Sequence, residues 1–314
     1  MPVVGGRLRH FADFWDRWCP AGSPVPDMIR YGVKLDFSHL PPTTQFPNPV
    51  QPPRDPAKAL ALRSEVQLLL QKEAVRIVED TSSPGFYSHI FLVPKKNGTW
   101  RLVIDLSRLN KFLIVPHFKM ETTRSVATAI QPGDWAVSLD LKDAYFHIPI
   151  HPDFQHYLRF ALEGSVYQFQ ALPFGLATAP LIFTMVVRAF VAPLHALGLK
   201  LHYYLDDWLL RCQAKGRLLE QLAFLKEKAP LAGWIVNEEK SDFDPSQDFI
   251  FIGIRFNTLL DLMLPPLDRI QKILSLISQW RQKTWASARE MLSLLGLLNS
   301  AADQVPMARL HFLI

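Results

Sequence analysis

The stretch Leu201-His-Tyr-Tyr-Leu-Asp-Asp-Trp-Leu-Leu210 decides the fold. Residues on both sides of Asp206-Asp207 are apolar or aromatic, so the segment reads as a β-hairpin with two acids at its tip. An Asp-Asp pair by itself is a common turn signal, because Asp bonds its own neighbouring backbone. At the tip of an apolar hairpin the pair means more. Unpaired carboxylates there repel each other, and a hard divalent cation takes oxygen ligands presented in this way. A third acid, Asp140, lies near the end of the run Trp135 to Leu141, which reads as a buried strand. Such an acid serves as a cap or salt-bridge partner in many proteins. With Asp206 and Asp207 it makes a three-carboxylate cluster suited to two Mg²⁺ ions about 4 Å apart, the arrangement of in-line phosphoryl transfer.

Outward from these strands, helices and hairpins alternate without the βαβ repeat of a doubly wound sheet. Asp55 caps a helix that accepts Pro56 in its first turn and carries Leu62, Val66, Leu69 and Leu70 on one face; it is expected to run to about Val78. Ile90 to Lys95 and Thr99 to Leu106 are strands joined across Asn97-Gly98, a strong short hairpin signal. Tyr157 to Leu162 and Val166 to Leu172 form a second hairpin around Glu163-Gly164-Ser165. Helices are expected over Thr178 to Leu197, closed by Gly198, and over Leu218 to Ala232, closed by Gly233. Phe249 to Phe256 reads as one strand, and Asp268 to Trp280 and Ala286 to Ala302 as amphipathic helices. Ten prolines between Cys19 and Pro56 argue for an extended strap or linker, pinned by Trp15, Trp18 and Phe37.

The chain has 314 residues, 49% hydrophobic and 20% charged, which excludes wholesale disorder. A net charge of +5 is compatible with a polyanionic partner. Two cysteines cannot build a disulfide framework, and Met1 to His10 has no apolar stretch before Arg7 and Arg9, so the chain reads as intracellular and not secreted. The longest apolar run, Ala179 to Leu201, is broken by Arg188, Pro193, His195 and Lys200, so no membrane span is expected. His147, His151 and His156 do not make a zinc site, because Pro149 and Pro152 forbid a common helix face and no cysteine lies nearby.

The segments Ser138-Leu-Asp-Leu-Lys-Asp-Ala-Tyr-Phe146, Leu172-Pro-Phe-Gly-Leu-Ala-Thr-Ala-Pro180 and Tyr204-Leu-Asp-Asp207 resemble the palm motifs of retroelement reverse transcriptases, in the family's order and spacing. Val93 to Asp105, followed by Leu109-Asn110, is similar to the fingers hairpin; Gly233 to Lys240 is similar to the next palm motif, and Phe251-Ile-Gly-Ile254 to the primer grip. The resemblance covers roughly residues 55 to 257 and looks most like DIRS-type elements, with gypsy-type next. It implies an α+β right-hand polymerase. Residues 1–54 would be a Pro-rich N-terminal extension, 55–257 fingers and palm (an antiparallel sheet plus helices), and 258–314 a partial thumb or connection of helices.

The resemblance also implies roles. Asp140 and Asp206 are the principal metal ligands, Asp207 is a more peripheral third acid, and Leu141 adds its carbonyl; two Mg²⁺ ions are the cofactor, with Mn²⁺ as substitute. Tyr145 lies under the incoming sugar and leaves no room for a 2′-hydroxyl, against the plainer reading of a core aromatic. Lys96 (Lys95 in reserve) and Arg101 hold the triphosphate, against the plainer reading of a solvated turn. Gly175 lets the backbone approach the nascent pair and Phe174 packs on it; retroviral relatives carry Gln at the Phe174 position. Lys240 protonates the leaving pyrophosphate, and Phe251, Ile252 and Gly253 grip the primer. Partners are then an RNA or DNA template with primer and dNTPs. Two rival readings are a catalytically inactive retroelement relic that only binds nucleic acid, and an RNA-dependent RNA polymerase, which Tyr145 fits poorly. Since no ribonuclease H acidic cluster follows the thumb-like helices, a fragment or truncated copy of a polyprotein is expected.

Overall fold

The computed structural model describes residues 2–45, 52–95, 98–283 and 285–304. Its elements begin with helices α1 (Ala12–Trp18), α2 (Val25–Tyr31) and α3 (Pro56–Gln71). Strands β1 (Val75–Ile77), β2 (His89–Pro94) and β3 (Trp100–Asp105) follow, then α4 (Ser107–Asn110), α5 (Thr123–Ala129) and β4 (Trp135–Asp140). Next come α6 (Pro152–Gln155), β5 (Arg159–Leu162), β6 (Ser165–Phe169), α7 (Ala179–Ala196), β7 (Lys200–Tyr204), β8 (Asp207–Cys212) and α8 (Lys215–Leu231). The chain continues through β9 (Asp242–Ser246), β10 (Asp248–Phe251), β11 (Ile254–Asn257), β12 (Leu262–Leu264), α9 (Leu267–Trp280) and α10 (Ala288–Ala301).

These elements form two compact units that interleave along the chain: Met1–Met120 with Leu141–Gly198 and Leu225–Asn237, and Glu121–Asp140 with Leu199–Phe224 and Glu238–Ile314. In the first, β1, β6 and β5 make an antiparallel sheet and β2 pairs with β3. Helix α7 is apolar and long enough to cross a membrane by composition alone. Phe183, Val186, Val187 and Phe190 are each fully buried within this unit, which is what a core helix requires. In the second unit the strand order is β7-β8-β4-β9, all antiparallel, and β10, β11 and β12 form a separate meander. Val126, Ala136, Leu209, Phe251, Ile254 and Phe256 close its core.

Three expectations change. The helix capped by Asp55, whose carboxylate accepts from Ala57 N, stops at Gln71 rather than Val78. Glu73 takes a positive φ of 55°, and the β-branched residues beyond it pair with β6 instead. The run Phe249 to Phe256 is two strands, not one. Ile252 and Gly253 both take positive φ (47° and 70°), a two-residue turn that glycine makes affordable, so Phe251 pairs with Ile254. The N-terminal strap is partly helical and partly core. Prolines sit at the start of α2, where the missing donor costs nothing, and Trp15 is fully buried, its Nε1 donating to Ala232 O at 2.9 Å. Trp15 also meets Trp234 edge-on at 6.1 Å, and Trp18 Nε1 donates to Phe190 O at 2.8 Å.

Candidate active site

The acids lie at one end of β4 and β8, the two inner strands of the second unit's sheet. Val137 and Leu139, buried together on one face of β4, fix which way the strand faces and put Asp140 on the opposite face. The strand's antiparallel register with β8 then sets Asp140 directly opposite Asp207. Strand β7 turns into β8 through Leu205 and Asp206, with Leu205 at a φ of 54° and Tyr204 paired with Asp207. Asp140 N donates to Ser241 Oγ at 3.0 Å, and Lys240 Nζ lies 3.9 Å from Asp140 Oδ2. A cleft of about 260 Å³ opens here, lined among others by Asp140, Asp207, Lys240, Phe251, Ile252 and Gly253.

Charge accumulates in this cleft. Desolvation against the cleft wall, then the charges of Asp206 and Asp140, push the Asp207 carboxyl up to about 6, with Lys240 opposing. Asp207 remains exposed at its tip, where the three acids repel one another. Hard oxygen donors crowded until they disfavour their own ionisation are a donor set that suits Mg²⁺. Among the described residues no three His, Cys, Asp or Glu side chains are grouped so as to hold a metal ion as they stand, so the fit is one of donor chemistry and charge.

The remaining predicted residues lie in the first unit. Tyr145 is buried in the 3₁₀ turn Ala144–His147, its ring 4.7 Å from Phe174 and 5.2 Å from Phe183. Phe174 is half exposed. Leu141 is buried and bridges Val236. Arg101 is exposed on β3 opposite Val93, and Lys95 Nζ sits 4.0 Å from Glu65 Oε1. Lys96 and Asn97 lie outside the described residues. Two positions carried no predicted role. Asn110 spans the turn at Gly175, donating from Nδ2 to Gly175 O and accepting at Oδ1 from Ala177 N, both at 2.9 Å. Ser241 is the other; a lone hydroxyl beside Lys240 gives no sequence signal, whereas Asn110 belongs to the Leu109-Asn110 pair that follows the fingers-like hairpin.

Residues 93–256, more than half of the chain, match the reverse transcriptase (RNA-dependent DNA polymerase) family. The chain belongs to that family. Among curated relatives, the Transposon Tf2-3 polyprotein of Schizosaccharomyces pombe is 26% identical over 254 residues, covering 81% of this chain and 18% of the polyprotein. The Tf2-7 polyprotein of the same yeast is 25% identical over the same length. This reverse transcriptase chain therefore spans less than a fifth of the curated polyproteins it matches. Its fold is similar to the foamy viral protease-reverse transcriptase solved with double-stranded DNA: TM-score 0.68, 20% identity, 96% of this chain and 54% of that one. The same viral protein solved with an RNA/DNA hybrid gives 0.68 at 19% identity, covering 94% and 40%. The α+β polymerase fold is thus the one shared with reverse transcriptases.

Proposed function

We propose that this chain is the polymerase domain of a retrotransposon, DIRS-type with gypsy-type as the nearest alternative, acting inside the cell. It would extend a primer 3′-hydroxyl with dNTPs on an RNA or DNA template. The observation that carries the reading is the register of β4 against β8, with Asp140 facing Asp207 beside the Asp206 turn. Asp140, Asp206 and Asp207, with the Leu141 carbonyl, would hold two Mg²⁺ ions. Bound there, the ions supply Lewis acidity toward the attacking hydroxyl and charge neutralisation on the phosphates. The protein's own groups do the rest. Tyr145 on its Phe174 support bars a 2′-hydroxyl, and Gly175 lets the backbone approach the new pair. Arg101 and Lys96 bind the triphosphate, with Arg101 supplying a two-pronged clamp. Lys240, already beside Asp140, is poised to give its Nζ proton to the departing pyrophosphate. Phe251, Ile252 and Gly253 on the cleft wall would seat the primer end.

Asp206→Asn is expected to abolish templated extension by purified protein in Mg²⁺ while leaving its melting temperature within a few degrees. Full activity in that variant would remove the acids from the chemistry. The relic reading predicts salt-dependent nucleic-acid binding with no incorporation by the unmodified chain. The close facing of intact acids favours the enzyme.

A further inference from the structure

The segment before the first helix has no part in the chemistry above, yet it is tied to the turn that carries Tyr145. Val4 N and Gly5 N both donate to the carbonyl of Lys72, at 3.1 and 2.7 Å, and Gly6 N donates to Phe146 O at 2.8 Å. One short run of backbone therefore joins the end of α3 to the turn Ala144–His147. The Lys72 side chain reaches the same place, its Nζ 2.7 Å from Asp143 Oδ1, with both side chains at least four-fifths buried. Asp143 opens the turn at a φ of 52°, a left-handed conformation that Asp and Asn tolerate better than other non-glycine residues. Gly5 makes the close approach possible: a Cβ there would lie 1.9 Å from Glu73 O. Gln170 Nε2 donates to that same oxygen at 2.6 Å, so the carbonyl is held where it is.

The ends of the turn are bonded from Phe146 N to Asp143 O at 2.9 Å and from Ile148 N to Tyr145 O at 3.1 Å. The bond from Gly6 and the Lys72 ion pair add a hold from outside it. A ring that discriminates by collision must be held to within about 0.5 Å, because a small retreat makes room for a hydroxyl. We propose that Val4–Gly6 and the Lys72–Asp143 pair are the positioning device for Tyr145, and so determine how strictly the site excludes ribonucleotides. The inference rests on Tyr145 being the ring beneath the sugar.

The test measures kcat/KM for a dNTP and the matching rNTP, beside a melting curve, on full-length Lys72→Ala, Lys72→Arg, Gly5→Ala, Tyr145→Val and the Tyr145→Val/Lys72→Ala double variant. Lys72→Ala and Gly5→Ala are expected to lower the dNTP to rNTP ratio about tenfold, chiefly by raising ribonucleotide use. Lys72→Arg, which keeps the ion pair, should restore the ratio. In the Tyr145→Val background, Lys72→Ala should leave the ratio where Tyr145→Val alone put it. If melting temperature falls in Lys72→Ala and Gly5→Ala while the ratio holds, the contacts are merely structural and the inference is overturned. Lys72→Ala adds no atoms and decides the matter alone if Gly5→Ala does not fold. Tyr145→Val separates the two layers. A shifted ratio there with none in Lys72→Ala sinks only the positioning device, whereas an unshifted ratio in Tyr145→Val sinks the sugar-gate reading and the device with it.

Discussion

At the scale of single residues, the site is built from groups that break their local pattern. Leu205 takes a left-handed backbone conformation that costs an ordinary residue about 1–2 kcal/mol, and it does so between Tyr204 and the two acids. Asp140 ends and Asp207 begins strands whose other members are mostly buried and apolar. Such violations are what made the acids legible in the sequence. Asn110 and Ser241 were not legible as contacts, because a lone amide or hydroxyl after a turn violates nothing. Arg101, exposed on β3, is the simplest of the proposed ligands to test. Arg101→Ala should raise the dNTP KM about 10–100-fold with a smaller change in kcat, since a charge-assisted hydrogen bond is worth roughly 1.5–3 kcal/mol. Steady-state kinetics at saturating template and primer will measure it, and an unchanged KM removes the β2–β3 hairpin from triphosphate binding.

At the scale of elements, strands β4 and β8 depend on a buried polar network as well as on apolar burial. Asp134 is fully buried just before β4, and its Oδ2 accepts from Arg211 Nη1 at 2.7 Å and from Gln131 N at 2.9 Å. Arg211 Nε continues the chain to His202 Nε2 at 3.0 Å, while Gln213 Nε2 donates to Asp134 Oδ1 at 2.6 Å. Removing one partner strands the other's charge. Asp134→Ala is expected to cost about 3–5 kcal/mol by urea denaturation, and Asp134→Leu with Arg211→Met much less. Equal losses in the two would mean that packing rather than charge holds this corner. None of this network could be read beforehand, since Asp134 and Arg211 are 77 residues apart. Element types were legible where periodicity was long, as in α7. The boundary at Phe251–Ile254 was not, because one glycine in an apolar run serves equally as a bulge or as a turn.

At the scale of the whole molecule, the first unit draws its core from three separate stretches of chain, and the N-terminal stretch is part of that core. Proline counting missed this: prolines exclude long helices, but one seven-residue helix precedes the run and another takes Pro26 in its first turn. Trp15→Ala should cost about 3–5 kcal/mol in a denaturant titration, the penalty of a large core truncation. A cost below about 1 kcal/mol would return the segment to the status of a strap. The same unit buries His147, whose Nε2 accepts from Ile235 N at 3.2 Å, so its Nδ1–H is the donor to Ala144 O at 3.1 Å. Burial lowers its pKa from 6.5 to about 4. The unfolded chain then takes up a proton that the folded one refuses. Stability contributed by neutral His147 is complete above pH 6.5 and is lost as pH falls toward 4, by up to about 3 kcal/mol. Melting curves from pH 7 to 4 should show that decline, and His147→Phe should flatten it.

Trp15 and its acceptor Ala232 are separated by 217 positions. A ribosome adding roughly 5–20 residues per second takes about 10–40 s to make that stretch. Throughout that time the Trp15 indole has emerged without the Ala232 carbonyl and Trp234 ring that receive it, and Trp18 waits 172 positions for Phe190. The N-terminal helices can therefore dock only after most of the chain exists, and a nascent chain stalled before Trp234 is expected to expose a tryptophan-rich, chaperone-binding surface.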